Sequence, residues 1–166
     1  MSGEERTTSG FATYRAGGTT PDIALMVRLI LTVRAVRGQL DERLRRIGQS
    51  ASRMETLAAI LNMPDPKSQS DVARRLRLEG ATVTRMIDVL SREGLVKRAP
   101  DPADRRVNLL SITPEGEAAL EEIFAVYDNL RDHVLADLDP AERAMMHDLL
   151  GRIIARVDAP QEDAGE

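Results

Sequence analysis

The sequence contains no cysteine and no tryptophan, and only two histidines, two phenylalanines and two tyrosines. Without cysteine there can be no disulfide, no thiolate nucleophile and no cysteine zinc site. His133 and His147 lie outside every H-x-x-x-H or H-E-x-x-H pattern, and no P-loop or G-x-G-x-x-G motif occurs. We therefore predict that the chain is not an enzyme and holds no metal ion or cofactor.

Long hydrophobic runs are also missing. No apolar stretch approaches the roughly 18 residues that a membrane span needs, and residues 1–20 are polar, with no apolar core of a signal peptide. We expect a cytoplasmic protein with a flexible N-terminal arm over 1–20 and an acidic tail over 158–166.

Charge is unevenly distributed along the chain. Between Lys67 and Arg106, ten Lys or Arg accompany six Asp or Glu, whereas the whole chain carries a net charge of −4. A basic segment on an acidic scaffold is typical of a module that faces a polyanion. A solvated arginine-rich helix face remains the alternative.

Apolar residues recur at helical spacing through most of the chain, interrupted by turn residues. A long helix is predicted over 21–47, a second from Ser50 to the prolines after Asn62, and a third behind the S-x-x-D capping box at Ser68. A fourth helix follows Gly80 and ends at Gly94.

After Gly94 the spacing of apolar residues changes from the helical repeat to a pattern typical of strands. Residues 95–98 and 107–112 predict two short strands around a loop with two prolines, and two further helices begin at Thr113 and Asp139. The predicted fold is mainly α (α+β), in the order α-α-α-α-β-β-α-α. Two short helices followed by a hairpin form a winged helix-turn-helix, whose second helix can enter the major groove of DNA.

The start of the fourth helix carries groups suited to DNA. Thr82, Thr84 and Arg85 can donate to phosphates and base edges near a helix N-terminus. On the residues alone, Thr82 could instead be the helix cap, and Arg85 could pair with Asp88 or Glu79.

The run ATVTRMIDVLSREGLVKRAPDPADRRVNLLSITPEGEAAL resembles the core signature of the MarR family of transcriptional regulators, with its D-x-R wing motif and T-P-E-G helix start. The link before Ser68 is most similar to the SlyA-like branch. The resemblance implies a homodimer that binds double-stranded DNA. It also implies a winged module over 50–112 and a dimerisation region over 21–49 and 113–157.

The resemblance also implies roles for single residues. Arg106 is expected to enter the minor groove, and Asp104 to hold the wing by pairing with a nearby arginine, although a solvated turn salt bridge is the alternative. The other predicted DNA contacts lie in the helix-turn-helix and the wing: Ser68, Gln69, Lys97 and Arg105.

Many MarR-like proteins release DNA when a small aromatic carboxylate or acyl thioester binds. The predicted effector contacts are Arg28, Arg53, Met54 and Leu57, with solvent-facing helix arginines as the alternative for the first two. Repression of a pseudopalindromic operator is the expected function. A constitutive DNA binder without a ligand and a winged helix that binds only protein are the competing interpretations.

Overall fold

The computed structural model describes residues 10–159. In this range the chain forms seven helices and one two-stranded antiparallel sheet. The elements, in chain order, are α1 (Gly10–Arg15), α2 (Pro21–Arg45), α3 (Ala51–Asn62), α4 (Gln69–Leu76), α5 (Gly80–Arg92), β1 (Val96–Pro100), β2 (Asn108–Ile112), α6 (Pro114–Val134) and α7 (Pro140–Asp158). The predicted mainly helical fold with a winged hairpin is confirmed.

Polar side chains start the helices where the sequence indicated. Thr20 Oγ1 accepts from the backbone N–H of Ile23, and Ser50 Oγ accepts from that of Arg53. Capping boxes open α4 at Ser68 and α7 at Asp139. Each cap satisfies backbone donors that the first helical turn leaves without a partner.

The N-terminal segment differs from the prediction. Residues Gly10–Arg15 form α1, a six-residue helix inside the segment predicted to be a flexible arm. No buried side chain holds this helix, so hydrophobic periodicity offered no signal for it. Residues 1–9 and 160–166 of the predicted arm and tail lie outside the described residues.

The β1–β2 hairpin is the wing. Val96 pairs with Ile112 and Pro100 with Asn108, so the paired strands extend closer to the loop than predicted for the first strand. Val96 and Leu110 are buried, and the backbone N–H of Leu110 donates to the carbonyl of Lys67 at 2.9 Å. The middle of β2 is therefore fixed to the segment that precedes α4.

The chain divides into two compact units, one ending at Val126 and one beginning at Tyr127. This boundary differs from the limits that we predicted at 49/50 and 112/113, and the functional division stays a prediction. The apolar core of the first unit has fully buried side chains on α3, α4 and α5: Leu57, Ile60, Val72, Val83 and Ile87. Burying a side chain of this size contributes about 1.5–3 kcal/mol, so these contacts hold the three helices together.

Helix α7, in the second unit, has no buried residue. Its large apolar side chains are at least partly exposed, among them Met145, Leu149, Ile153 and Val157. In the first unit, α2 also exposes Leu25, Met26 and Ile30 in its N-terminal half. Within residues 10–159, no helix is both long and apolar enough to cross a membrane.

Candidate nucleic-acid interface

Helix α5 has one buried and one exposed face. Val83, Ile87 and Leu90 are buried, and the side chains on the opposite face are exposed. At 100° per residue, Arg85 lies near the centre of the exposed face, and Thr82 and Thr84 lie at its two edges. The helix N-cap is Glu79, which makes no side-chain capping bond. Thr82 is therefore not the cap, and its exposed side chain remains available to a partner.

Arg85 is the exposed cation in the N-terminal half of α5, the half predicted to contact DNA. Asp88, a potential partner one turn away, forms an ion pair with Arg98 at 2.6 Å instead. Within the described part of the chain Arg85 makes no ion pair, so the alternative of pairing with Asp88 or Glu79 is not found. An exposed guanidinium on a helix face can reach phosphates or base edges.

Other residues predicted to contact DNA are engaged inside the helix-turn-helix. Ser68 Oγ accepts from the Asp71 N–H, and Asp71 Oδ2 accepts from the Ser68 backbone N–H at 2.8 Å, which completes the capping box. Ser68 Oγ also donates to Asp71 Oδ2 at 2.7 Å. These bonds from Ser68 hold the pKa of Asp71 below its ordinary value. Gln69 donates its side-chain amide to Thr84 Oγ1, which ties the start of α4 to α5.

At the tip of the wing, Asp104 and Arg106 form a bidentate ion pair. Nε and Nη2 of Arg106 each lie 2.9 Å from a carboxylate oxygen of Asp104, whose Oδ1 also accepts from the Arg106 N–H at 3.0 Å. Hydrogen bonds from Arg106 lower the pKa of Asp104, so the carboxylate is charged at neutral pH. The Arg106 side chain is still 89% exposed. The arginine that pairs with Asp104 is thus Arg106 itself, in the exposed turn salt bridge that we gave as the alternative, and entry of Arg106 into the minor groove stays a prediction.

Two more cations predicted to meet DNA lie on the wing. Lys97, on β1, and Arg105, beside the Asp104–Arg106 pair, are exposed. Neither forms an ion pair within residues 10–159. Together with Arg85 and Arg106 they give the helix-turn-helix and wing a cationic exposed surface.

A hydrogen-bonded junction sets the position of the wing. Thr113 Oγ1 donates to the carbonyl of Gly94 at 2.7 Å and accepts from the Gly116 N–H at 3.0 Å, while the Thr113 N–H donates to the Leu95 carbonyl at 3.1 Å. A Cβ on Gly116 would lie 2.1 Å from that Leu95 oxygen. Only glycine permits this approach between α6 and the start of the wing.

The four residues predicted to bind an effector are not brought together. Leu57 is completely buried in the core, and Arg53 is held by Gln49 at 2.7 Å and by an ion pair with Glu93. Arg28 lies exposed on α2. Met54 lines an open groove.

That groove runs between α3 and α4 and has a volume of about 620 Å³. Apolar side chains form much of its lining, chiefly Met54, Ala58, Met63, Pro64 and Leu76. Arg75 also lines it and makes no ion pair in the described range. Arg75 belongs to the basic segment, but nothing in its local sequence pattern indicates that it lies beside Met54. Between residues 10 and 159, no cluster of His, Asp or Glu side chains is suited to hold a metal ion.

Comparison with known proteins places this geometry in a family. The family model described as "MarR family" matches residues 48–107, which include the helix-turn-helix and most of the wing. The solved structure of the transcriptional regulator PA3341 is 32% identical and superimposes with a TM-score of 0.71, covering 80% of this chain and 97% of that one. The chain belongs to the MarR family.

Two further relatives are informative. The match to YdgJ of Bacillus subtilis (strain 168), an uncharacterized HTH-type transcriptional regulator, is 32% identical over 106 residues, or 64% of each chain. The chain therefore spans just under two thirds of the length of that relative. A mutant MarR from E. coli complexed with operator DNA is 26% identical, with a TM-score of 0.69, over 80% of this chain and 95% of that one. MarR-family regulators are non-enzymatic, in agreement with the prediction against catalysis. Assignment to the SlyA-like branch stays a prediction.

Proposed function

We propose that this MarR-family chain is a sequence-specific DNA-binding transcriptional regulator of the bacterial cytoplasm. The observation that carries the proposal is the exposed Arg85 at the centre of the α5 face, next to a wing that presents Lys97, Arg105 and Arg106. A winged helix-turn-helix inserts the equivalent helix into the major groove, and its hairpin reaches the backbone or the minor groove. The E. coli relative crystallised with operator DNA supports the same use of the fold.

The proposed regulator acts as a homodimer. The exposed apolar side chains of α7 and of the N-terminal half of α2 are the surfaces that a second copy would cover. Exposed apolar patches of this kind are unusual on monomers and mark association surfaces. A two-fold dimer matches a pseudopalindromic operator, one winged module to each half-site.

We further propose that the protein is a repressor released by a small aromatic carboxylate or acyl thioester in the α3–α4 groove. The apolar lining around Met54 suits a hydrophobic body, and Arg75 supplies a guanidinium for its acidic group. Glu55 also lines the groove, but its carboxylate is paired with Arg37. Methionine adapts to several ligand shapes, and large acyl or aromatic compounds should bind better than salicylate.

Selection of duplexes from a random pool, followed by binding isotherms on the selected site and on scrambled DNA, tests the proposed function. We expect an inverted repeat. We also expect Arg85→Ala to reduce the difference in binding free energy between the selected site and scrambled DNA by about 1–3 kcal/mol. Arg45→Ala is the matched control, because it removes an exposed arginine of α2 that lies outside the helix-turn-helix and the wing. Failure to enrich any sequence would favour the protein-interaction interpretation.

A titration of candidate effectors against the selected duplex tests the ligand. Arg75→Gln should weaken release by acidic compounds. Arg74→Gln is the control, since Arg74 is paired with Asp71 at 2.7 Å and does not line the groove beside Met54. If no compound changes DNA affinity, the protein is a constitutive DNA binder.

A further inference from the structure

The hydroxyl group of Thr84 is fully used as a donor inside the protein. Oγ1 donates to the carbonyl oxygen of Gly80 at 2.8 Å, one turn earlier on α5. The same oxygen accepts from Nε2 of Gln69 on α4. A hydroxyl carries one proton, so Thr84 has none left for another acceptor.

This arrangement restricts what Thr84 can recognise in a major groove. Guanine presents two acceptors there, adenine presents N7 and thymine presents O4, and all of these need a donor from the protein. Thr84 cannot supply one while its proton lies on Gly80. The amino groups of adenine and cytosine could donate to the second lone pair of Oγ1, a contact that Thr84→Val would abolish and Thr84→Ser would keep. The methyl group of Thr84 is free of this constraint, and only thymine offers a methyl group at the groove surface.

We infer that Thr84 recognises thymine by methyl–methyl contact, and that the Gly80 carbonyl and the Gln69 amide hold its hydroxyl away from the base. The inference rests on the proposed DNA-binding function and names one base preference within it. Thr82, at the other edge of the exposed face, contrasts with Thr84, because its hydroxyl makes no hydrogen bond within the described residues. Thr82 is therefore the threonine of this helix that can donate to a base or a phosphate.

Two near-isosteric substitutions separate the two groups of Thr84. Thr84→Ser keeps the hydroxyl and removes the methyl group, whereas Thr84→Val keeps a methyl group and removes the hydroxyl. The DNA partner is the selected duplex, in which each thymine in turn is replaced by deoxyuridine, which lacks only the C5 methyl. Thr82→Ser and Thr82→Val are the matched controls, and thermal melting checks that every variant folds.

Wild-type protein should lose about fourfold in affinity for each half-site when one particular thymine becomes deoxyuridine, the value of one buried methyl-sized group. Thr84→Ser should show a similar loss on the thymine duplex and no further loss on the deoxyuridine duplex. Thr84→Val should keep the wild-type preference. Thr82→Ser should leave the deoxyuridine penalty unchanged.

Three results would overturn the inference: no deoxyuridine penalty at any position, additive losses for Thr84→Ser and deoxyuridine, or a larger loss of thymine preference for Thr84→Val than for Thr84→Ser. In each of these cases the wild-type protein still binds its selected site, so the proposed function stands. Absence of sequence-specific binding would instead remove the proposed function, and the thymine contact with it.

Discussion

Replacing Gly116 by alanine should destabilise the protein, although the position lies in the first turns of α6, where alanine is otherwise the better residue. The new Cβ would lie 2.1 Å from the Leu95 oxygen, 2.7 Å from Cγ1 of Ile112 and 3.0 Å from the Leu95 carbonyl carbon. Real contacts of this type are no closer than about 3 Å, so backbone must move by about 1 Å. The two nearest groups include a main-chain carbonyl, which cannot turn aside as a flexible side chain can.

The magnitude follows from the groups that move. Forcing an extra carbon into a packed site costs about 1–3 kcal/mol, and displacing Leu95 also weakens the hydrogen bond that its carbonyl accepts from Thr113 at 3.1 Å, worth about 1 kcal/mol. The helical preference of alanine over glycine offsets about 1 kcal/mol of this loss. We therefore expect a net loss of about 1–3 kcal/mol in the free energy of unfolding.

Urea unfolding at one fixed protomer concentration measures the effect, since an associating protein has a concentration-dependent stability. Gly38→Ala is the matched control, because Gly38 lies inside α2 and a Cβ added there would meet no atom within 4 Å. That variant should be more stable by about 1 kcal/mol. If Gly116→Ala is as stable as Gly38→Ala, the close approach of α6 to the wing does not exist as described.

Three further outcomes are expected. Arg106→Ala should weaken binding to operator and to scrambled duplex alike. It should also reduce the slope of log K against log salt concentration by about 0.9 for each phosphate that the variant no longer neutralises. An unchanged slope would show that the wing tip does not touch DNA. Ile153→Asp on α7 should shift sedimentation from dimer to monomer or unfold the protein, because an unpaired carboxylate in an apolar interface costs several kcal/mol. A dimer of wild-type stability would contradict the assignment of α7 to the interface. Asp71→Asn should lower stability at pH 7 by about 1 kcal/mol, because the neutral amide accepts more weakly from Ser68 and loses the ion pair with Arg74 and the attraction to the helix N-terminus. The lowered pKa of Asp71 makes this contribution complete at neutral pH and absent once the pH falls through that pKa, so the two proteins should converge in acid-unfolding experiments.

Local sequence determined most of the secondary structure. The caps at Thr20, Ser50, Ser68 and Asp139 act over three or four residues, and a capping side chain meets its backbone donors whatever the rest of the chain does. For the same reason, short-range sequence signals predicted the order of the helices, the end of α3 before two prolines and the change in the spacing of apolar residues at the wing. Helix α1 was missed because it buries nothing, which leaves no periodic pattern to detect.

The tertiary structure decided which polar side chains are free for a partner. Thr82, Thr84 and Arg85 look equivalent in the sequence, yet Gln69, fifteen residues before Thr84, engages one hydroxyl while Arg98 takes the carboxylate that could have paired with Arg85. Hydrogen bonds and ion pairs between separate elements depend on helix packing, and a linear pattern carries no record of them.

The predicted effector residues show the same limit. Helical spacing placed Arg53, Met54 and Leu57 on one helix, but packing buried Leu57 completely, paired Arg53 with Glu93 and left Met54 in a groove with Arg75. Sequence by itself determined the family, the element order and the basic segment, because these depend on residue type and short-range spacing. The tertiary structure decided which side chains reach solvent together, because that depends on how α3, α4 and α5 pack around a shared core.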